Sequence, residues 1–183
     1  MAWLVRIVIL AVAGLVVAGP AEATTQSAVP VPFSSNGCSG FREARFFSCC
    51  FVHDLAFWAG GTWADRRAAD LSLRRCIKDI SHNFVIADVA YSLTRLGIVP
   101  GTFINDGWGR AWRGQKRKRF QALTPDQRRH VDAERQRVCR SLILNPQTGN
   151  YLVDEKREIR ANQAREVCGG VDPPGPGSAR QAP

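Results

Sequence analysis

The first regular hydrophobic pattern in the chain predicts a helix that begins near Phe46 and ends before Gly60. Its apolar positions recur near the 3.6-residue period of an α-helix, at Phe47, Cys50, Phe51, Leu55 and Trp58. Gly60 and Gly61 follow directly, and glycines at such a point end a helix. The pattern therefore predicts one amphipathic helix that is closed by a glycine turn.

A second helical pattern begins directly after that turn. Thr62 can cap it, and the pattern extends to Gly97 without a proline or an internal glycine. About 35 residues is long for a helix of a globular protein, so we expect a break near Ser81. The short connection at Gly60–Gly61 predicts that the two helices run antiparallel beside each other.

The rest of the chain predicts shorter elements. Residues 98–115 mix glycines, a proline and two tryptophans, which indicates a loop that packs through its aromatic side chains. A capping signature at Thr124 begins a third helical region that should end near Leu144. Residues 145–154 predict a turn or a small hairpin, and residues 155–168 predict a last helix. The predicted fold is mainly α, a helical domain built on an antiparallel helix pair.

The two ends of the chain differ from this helical region. Residues 1–23 combine one basic residue, a 13-residue apolar run and an A-x-A ending, which is the pattern of a cleaved secretory signal peptide. An uncleaved membrane anchor is the alternative. Residues 169–183 are rich in proline and glycine and predict a disordered tail. One domain, residues 24–168, remains, and its first part, residues 24–45, should be extended chain and loop.

The cysteines predict a disulfide-braced, exported protein, extracellular or periplasmic. All six follow the predicted signal, at Cys38, Cys49, Cys50, Cys76, Cys139 and Cys168. Export would bring them to a compartment where disulfides form and persist. Six cysteines allow many pairings, so their number alone does not fix the connectivity. Zinc binding is the competing interpretation, and the lack of a C-x-x-C pair or of a well-spaced histidine disfavours it.

The charge is concentrated in one segment. The net charge is +9, and residues 110–140 hold eleven Lys or Arg and three acidic residues. Such a segment should bind polyanions. For an exported protein we expect these to be anionic phospholipid head groups or envelope polymers, and not nucleic acid. Trp108 and Trp112 lie beside the segment, and cationic and aromatic residues together favour a membrane interface. A solvated basic face is the simpler alternative.

A histidine and a distant carboxylate form the first candidate for chemistry. Asp70 falls on the apolar stripe of the second helix, where a lone carboxylate is costly without a partner. It lies nine residues after Gly61, and His53 lies seven before Gly60, so an antiparallel pair of helices brings them level. A carboxylate bonded to one imidazole nitrogen leaves the other nitrogen free to take a proton. The pair is therefore a candidate general base that activates water.

Asp54 is predicted to do a different job from its neighbour. Adjacent helical residues project about 100° apart, so Asp54 can turn toward the preceding loop. Together with loop carbonyl oxygens it offers the ligands that calcium prefers. The alternatives are structural, because a His-Asp doublet alone is a weak motif and Asp70 could pair with Arg45 or Arg74. Asp65 is another possible partner for the histidine if the helix phase differs.

The stretch “CCFVHD”, residues 49–54, resembles the C-C-x-x-H-D core of secreted phospholipase A2. The longer stretch “HDLAFWAGGTWADRRAAD” is similar to the short-hairpin form of its bacterial and fungal relatives, and the match covers residues 37–76. The resemblance implies calcium-dependent hydrolysis of the sn-2 ester of glycerophospholipids. The residues that it implicates are His53 as base, Asp70 as its orienting partner, and Asp54, Cys38 and Gly40 as calcium ligands. It also implies a disulfide between Cys38 and Cys50.

The chain departs from this family in the calcium loop and beside the histidine. The stretch “NGCSGFREARF” has only Gly37 and Gly40 where the family commonly has a C-G-x-G-G run. Ala56 replaces a cysteine that is common in animal members, and Phe57 stands where a tyrosine is usual. The rival function is a non-catalytic, cationic protein that binds lipid or envelope polymers and keeps the helices as a scaffold. The histidine and both carboxylates together favour the enzyme.

Overall fold

The structure is a computed structural model, and it describes residues 29–38, 44–96, 98–99, 102–103, 107–115 and 117–173. The predicted signal peptide lies outside these residues, as do Gly40 of the predicted calcium loop and most of the predicted tail. Within the described part of the chain, no helix combines the length and the hydropathy that a bilayer crossing requires.

The described residues are mainly helical, as the hydrophobic pattern predicts. Their α-helices are α1 (Phe47–Ala59), α2 (Trp63–Ser81), α3 (Phe84–Leu96), α4 (Pro125–Ser141) and α5 (Ala161–Val167). Two short 3-10 turns also occur, at Ala44–Phe46 before α1 and at Arg110–Trp112 before α4.

Short strands complete the fold. Strand β1 (Ile98–Val99) pairs antiparallel with β2 (Thr102–Phe103). A second sheet contains β3 (Ile143–Leu144), β4 (Tyr151–Leu152) and β5 (Glu158–Ile159), which pair antiparallel in that order.

Local sequence signals set the boundaries of the first three helices. Gly60 ends α1 with φ at 71°, and a Cβ atom there would lie 2.5 Å from the Cα of Gly109. Thr62 forms a capping box with Asp65 at the start of α2. The expected break in the long helical region is present, because His82 adopts a left-handed conformation with φ at 53° between α2 and α3.

Two boundaries predicted for the second half of the chain are wrong. Helix α4 ends at Ser141 instead of Leu144, and the last helix begins at Ala161 instead of Glu155. The intervening residues enter the three-stranded sheet, where Ile159 pairs with β4 and is fully buried. Burial of a β-branched residue in a paired strand outweighs the helical preference of the charged residues before it.

All six cysteines form disulfides. The bridges are Cys38–Cys50, Cys49–Cys76 and Cys139–Cys168. The first confirms the pairing that the phospholipase resemblance implies. The zinc alternative is wrong, because no cysteine is free to ligate a metal. Three disulfides indicate that the protein folds in an oxidising compartment.

Helix α1 is the central element and is buried on two sides. On one side it packs through Phe51, Leu55 and Trp58 against residues of α4, α5 and the three-stranded sheet. On the other side it contacts α2 and α3 in a second cluster that includes Leu73 and Ile77. Since α1 carries His53 and Asp54, both residues are held by a helix with little freedom to move.

Candidate functional site

The site is built where α1 meets α2. The Nε2 atom of His53 lies 2.9 Å from Oδ1 of Asp70, which is a hydrogen-bonding distance. Asp70 is fully buried, and His53 is 9% exposed. Two of the alternative pairings are absent, because Asp65 caps α2 at Thr62 and Arg74 pairs with Asp88 on α3.

Two arginines that the sequence analysis did not identify also approach Asp70. Arg95 of α3 donates from Nη1 to Oδ2 of Asp70 at 3.2 Å, and Nε of Arg66 lies 3.9 Å from the same oxygen. Both cations lie at a carboxylate that has no access to solvent. Asp70 therefore has positively charged partners as well as a histidine partner, and these interactions offset the cost of burying its carboxylate. The spacing of Arg66, four residues before Asp70 on α2, is a signal that could have identified it.

Aromatic rings fix the plane of the imidazole. Phe57 packs on His53 with the ring centroids 4.2 Å apart, and Trp108 meets Phe57 edge-on at 5.1 Å. The guanidinium of Arg66 also lies over the Phe57 ring, 5.3 Å from its centroid. With Nε2 engaged by Asp70, the other ring nitrogen, Nδ1, is the atom that can exchange a proton with water.

Asp54 faces a different partner set. Its Oδ2 accepts a hydrogen bond from the Ser35 hydroxyl at 2.6 Å, and that hydroxyl accepts one from the Gly37 N–H at 3.1 Å. Burial raises the pKa of the Asp54 carboxyl, and the Ser35 hydrogen bond and the nearby charge of Arg110 oppose that rise only in part. The fold thus keeps a carboxylate whose negative charge is incompletely compensated.

Residues 33–38 form a strap that lies against this carboxylate. The Phe33 N–H donates to Oε1 of Glu134 at 2.8 Å. Farther along the strap, Arg110 donates to the Ser34 carbonyl and Arg157 donates to the Ser35 carbonyl. The Cys38–Cys50 disulfide ties its end to α1. We call these six residues the strap.

The calcium prediction can be compared with the oxygen donors that are described. Asp54 supplies a half-buried carboxylate, and the disulfide at Cys50 holds the backbone of Cys38 next to α1. Gly40 lies outside the described residues. In the described part of the chain no three His, Cys, Asp or Glu side chains converge on a metal. The described residues therefore place two of the three predicted ligands, Asp54 and Cys38, at α1, and calcium binding stays a prediction.

Trp108 and Trp112, which were predicted to lie at a membrane interface beside the basic segment, are buried. Trp108 and Trp112 are 8% and 3% exposed, and their indole N–H groups donate to the backbone carbonyls of Gly61 and Ala59. They close the end of α1, so their predicted position at a membrane interface is wrong. The loop does pack through its aromatic side chains, as predicted.

Other side chains form the exposed cationic and aromatic surface near the site. Trp63 is 48% exposed and meets Phe120 edge-on at 4.8 Å. Arg95 lies over the Trp63 ring, 4.4 Å from its centroid, and Arg119 lies over Phe120 at 5.2 Å. Because Arg95 also contacts Asp70, this surface adjoins the histidine–aspartate pair.

Comparisons of the chain with protein-family models, with curated proteins and with solved structures gave no match.

Proposed function

We propose that the protein is a phospholipase A2-like enzyme that hydrolyses the sn-2 ester of glycerophospholipids with the help of calcium. The observation that carries the proposal is the 2.9 Å contact between His53 and the buried carboxylate of Asp70. A buried acid that fixes one imidazole nitrogen is the arrangement required of a general base. The choice of a glycerophospholipid as the substrate rests on the neighbouring Asp54 and on the resemblance of “CCFVHD” to secreted phospholipase A2.

In the proposed reaction the imidazole of His53 moves a proton twice. Water attacks the ester carbonyl carbon while Nδ1 of His53 takes one of its protons. The imidazolium then gives that proton to the departing alkoxide oxygen, so the products are a free fatty acid and a lysophospholipid. Asp70 holds the ring in one tautomer and stabilises the transient positive charge on the imidazole.

Asp54 is the proposed charged ligand of calcium, with backbone oxygens at Cys38 and Gly40. When bound, calcium would supply positive charge for the developing oxyanion. The raised pKa of Asp54 supports this assignment, because a carboxylate that burial leaves short of positive charge gains most from a nearby cation. The disulfide to Cys50 holds Cys38 next to α1, the helix that carries Asp54.

The proposed partner is an anionic phospholipid surface outside the cytoplasm. The signal-like N-terminal sequence and the three disulfides support export. The net charge of +9 supports attraction to anionic head groups. Exposed Trp63 and the cations around it are the proposed contact with the interface.

A second candidate, a non-catalytic lipid- or envelope-binding protein, is favoured by one observation. The carbonyl oxygens of Ser34 and Ser35, in the strap beside Asp54, accept hydrogen bonds from Arg110 and Arg157. Guanidinium groups therefore already bind carbonyl oxygens that a calcium ion in this region would need as ligands. In such a protein the histidine and both carboxylates would only stabilise the scaffold.

Fatty-acid release separates the two candidates. The enzyme should release fatty acid from mixed phospholipid vesicles in the presence of calcium and stop when a chelator is added. The binding protein should sediment with the same vesicles and release none under either condition.

A further inference from the structure

A small cavity lies beside His53, between α1, α2 and α5. Its volume is about 40 Å³. Aliphatic side chains and the Cys49–Cys76 disulfide form most of its wall. Its polar lining comes from His53, Ser72, Gln163 and Glu166. A water molecule needs roughly 10 to 15 Å³ of such space and two to four polar partners, and the cavity meets both requirements.

Gln163 is the unusual member of that lining. It lies on α5, 110 positions after His53 in the chain, and is 7% exposed. Its Oε1 atom is buried without a hydrogen-bond partner in the described part of the chain. A buried amide oxygen without a partner is costly, and native proteins usually satisfy such groups with side chains or ordered water. This atom therefore points to a bound molecule that can donate a hydrogen bond.

The ligand that fits is water, because the cavity is too small for an organic group and its wall offers acceptors. His53 also lines the cavity, and its imidazole already uses Nε2 to bond Asp70. Nδ1 is thus the ring atom that can accept a hydrogen bond from a cavity water. Glu166 is exposed and marks the solvent side, from which the cavity can refill.

We propose that Gln163 is a positioning residue that holds a water molecule between its Oε1 atom and Nδ1 of His53. The catalytic part of this inference rests on the proposed function, in which His53 activates water. Two fixed acceptors would direct both protons of the water, so that its oxygen lone pair is turned away from them and toward an incoming ester. The presence of the water is independent of any activity.

The first test is a crystal structure of the mature chain at a resolution that shows ordered water. We expect a water within about 3.2 Å of both Oε1 of Gln163 and Nδ1 of His53. In Gln163→Met, which keeps the length of the side chain and removes its acceptor, that water should be lost. A dry cavity in the parent protein, or a water that does not contact Gln163, would overturn the proposal.

The second test separates positioning from folding. For vesicle hydrolysis, Gln163→Met should lower kcat by about tenfold or more with little change in KM, and Gln163→Glu, which keeps an oxygen acceptor, should recover most of kcat. Asn162→Met is the matched control, since Asn162 is the exposed amide next to it on α5 and should behave like the parent. If Gln163→Met keeps full kcat, Gln163 does not position the water. If the parent releases no fatty acid while the crystal shows the water, the proposed function fails and the water site stands.

Discussion

Asp70 binds His53 through one carboxylate oxygen and Arg95 through the other. Nε2 of His53 lies 2.9 Å from Oδ1, and Nη1 of Arg95 lies 3.2 Å from Oδ2. The three residues come from α1, α2 and α3, so one carboxylate joins the three helices. Asp70 consequently has a structural role in addition to the orienting role proposed for it.

Replacement of Asp70 should therefore reduce stability as well as activity. Asp70→Asn keeps the shape of the side chain but removes a fully buried negative charge, which leaves the cations of Arg66 and Arg95 without it. We expect a loss of roughly 3 to 5 kcal/mol in the free energy of unfolding, measured by urea titration.

Asp88→Asn is the control for that measurement. Asp88 pairs with Arg74, and both side chains are more than a third exposed. Its replacement should leave the free energy of unfolding almost unchanged, because exposed ion pairs contribute little. Equal effects of the two substitutions would show that the buried charge of Asp70 does not stabilise the fold more than an exposed ion pair does.

Variants of His53 and Asp54 should fail in different ways. His53→Gln should lower turnover by about 10²- to 10⁴-fold, the usual contribution of general-base help, and should still bind calcium. Asp54→Asn should lose both turnover and calcium binding, since one carboxylate supplies most of the charge of the proposed site. Calorimetric titration with calcium and a turnover assay on the same samples distinguish the two. Calcium binding that survives in Asp54→Asn would move the metal site elsewhere.

The pKa of Asp54 gives a prediction for stability as a function of pH. Burial raises this pKa above the ordinary value of 3.8, although the Ser35 hydrogen bond opposes the rise. Between 3.8 and the raised value, the folded protein holds more protons than the unfolded chain, so the free energy of unfolding should fall as pH rises through that interval. In Asp54→Asn this fall should be absent. Urea titrations in chelator from acid to neutral pH measure it.

Glu134 should change the free energy of unfolding with pH in the opposite direction, and the same titrations measure it. The hydrogen bond from Arg137 is the main cause that lowers the pKa of Glu134, and the Phe33 N–H adds to it. Its stabilising contribution is present above the ordinary value of 4.5 and is lost as pH falls through the lowered pKa. Glu134→Gln should therefore remove a loss of stability on acidification. The same sign in both variants would contradict the assigned environments.

Three exposed basic residues of the segment before α4 should control binding to vesicles, namely Arg113, Lys118 and Arg119. Arg119 lies over Phe120, which in turn meets Trp63. At about 1 kcal/mol for each charge near an anionic membrane, replacing all three with serine should weaken vesicle binding on the order of a hundredfold. Hydrolysis of a short-chain monomeric substrate should be nearly unaffected. Arg117 is left intact because it is half-buried and donates to the Gln121 carbonyl.

A matched triple variant on other elements controls for net charge. Three exposed basic residues outside α2 and outside the segment before α4 serve this purpose, namely Arg140, Lys156 and Arg160. Serine at these positions removes the same charge and should weaken vesicle binding much less. If both triple variants lose the same affinity, vesicle binding depends on the total charge of the protein and not on a defined surface beside the site.

The sequence could predict the parts of the site that depend on local signals. Gly60 and the capping box at Thr62 determine where α1 ends and α2 begins, and those two boundaries set His53 opposite Asp70. The pairing of Cys38 with Cys50 was available only through the family resemblance, because cysteine spacing allows other connectivities.

The remaining contacts depend on packing between distant segments. Arg110 and Ser34 are 76 positions apart, and Arg157 and Ser35 are 122 apart. Arg95 reaches Asp70 only because the chain reverses at His82 and α3 packs on α2. No periodicity or motif marks such partners, since each arginine resembles the exposed basic residues around it. The same argument applies to the burial of Trp108 and Trp112, whose partners are backbone carbonyls.

The most direct measurement uses phospholipid vesicles whose sn-1 and sn-2 acyl chains can be distinguished by mass. The parent protein and His53→Gln are each incubated with calcium and with chelator, and the released fatty acids are identified. We predict that the parent with calcium releases the sn-2 chain alone, and that chelator or His53→Gln reduces this release by at least about a hundredfold. No release by the parent with calcium present, or equal release by His53→Gln, would contradict the proposed enzyme.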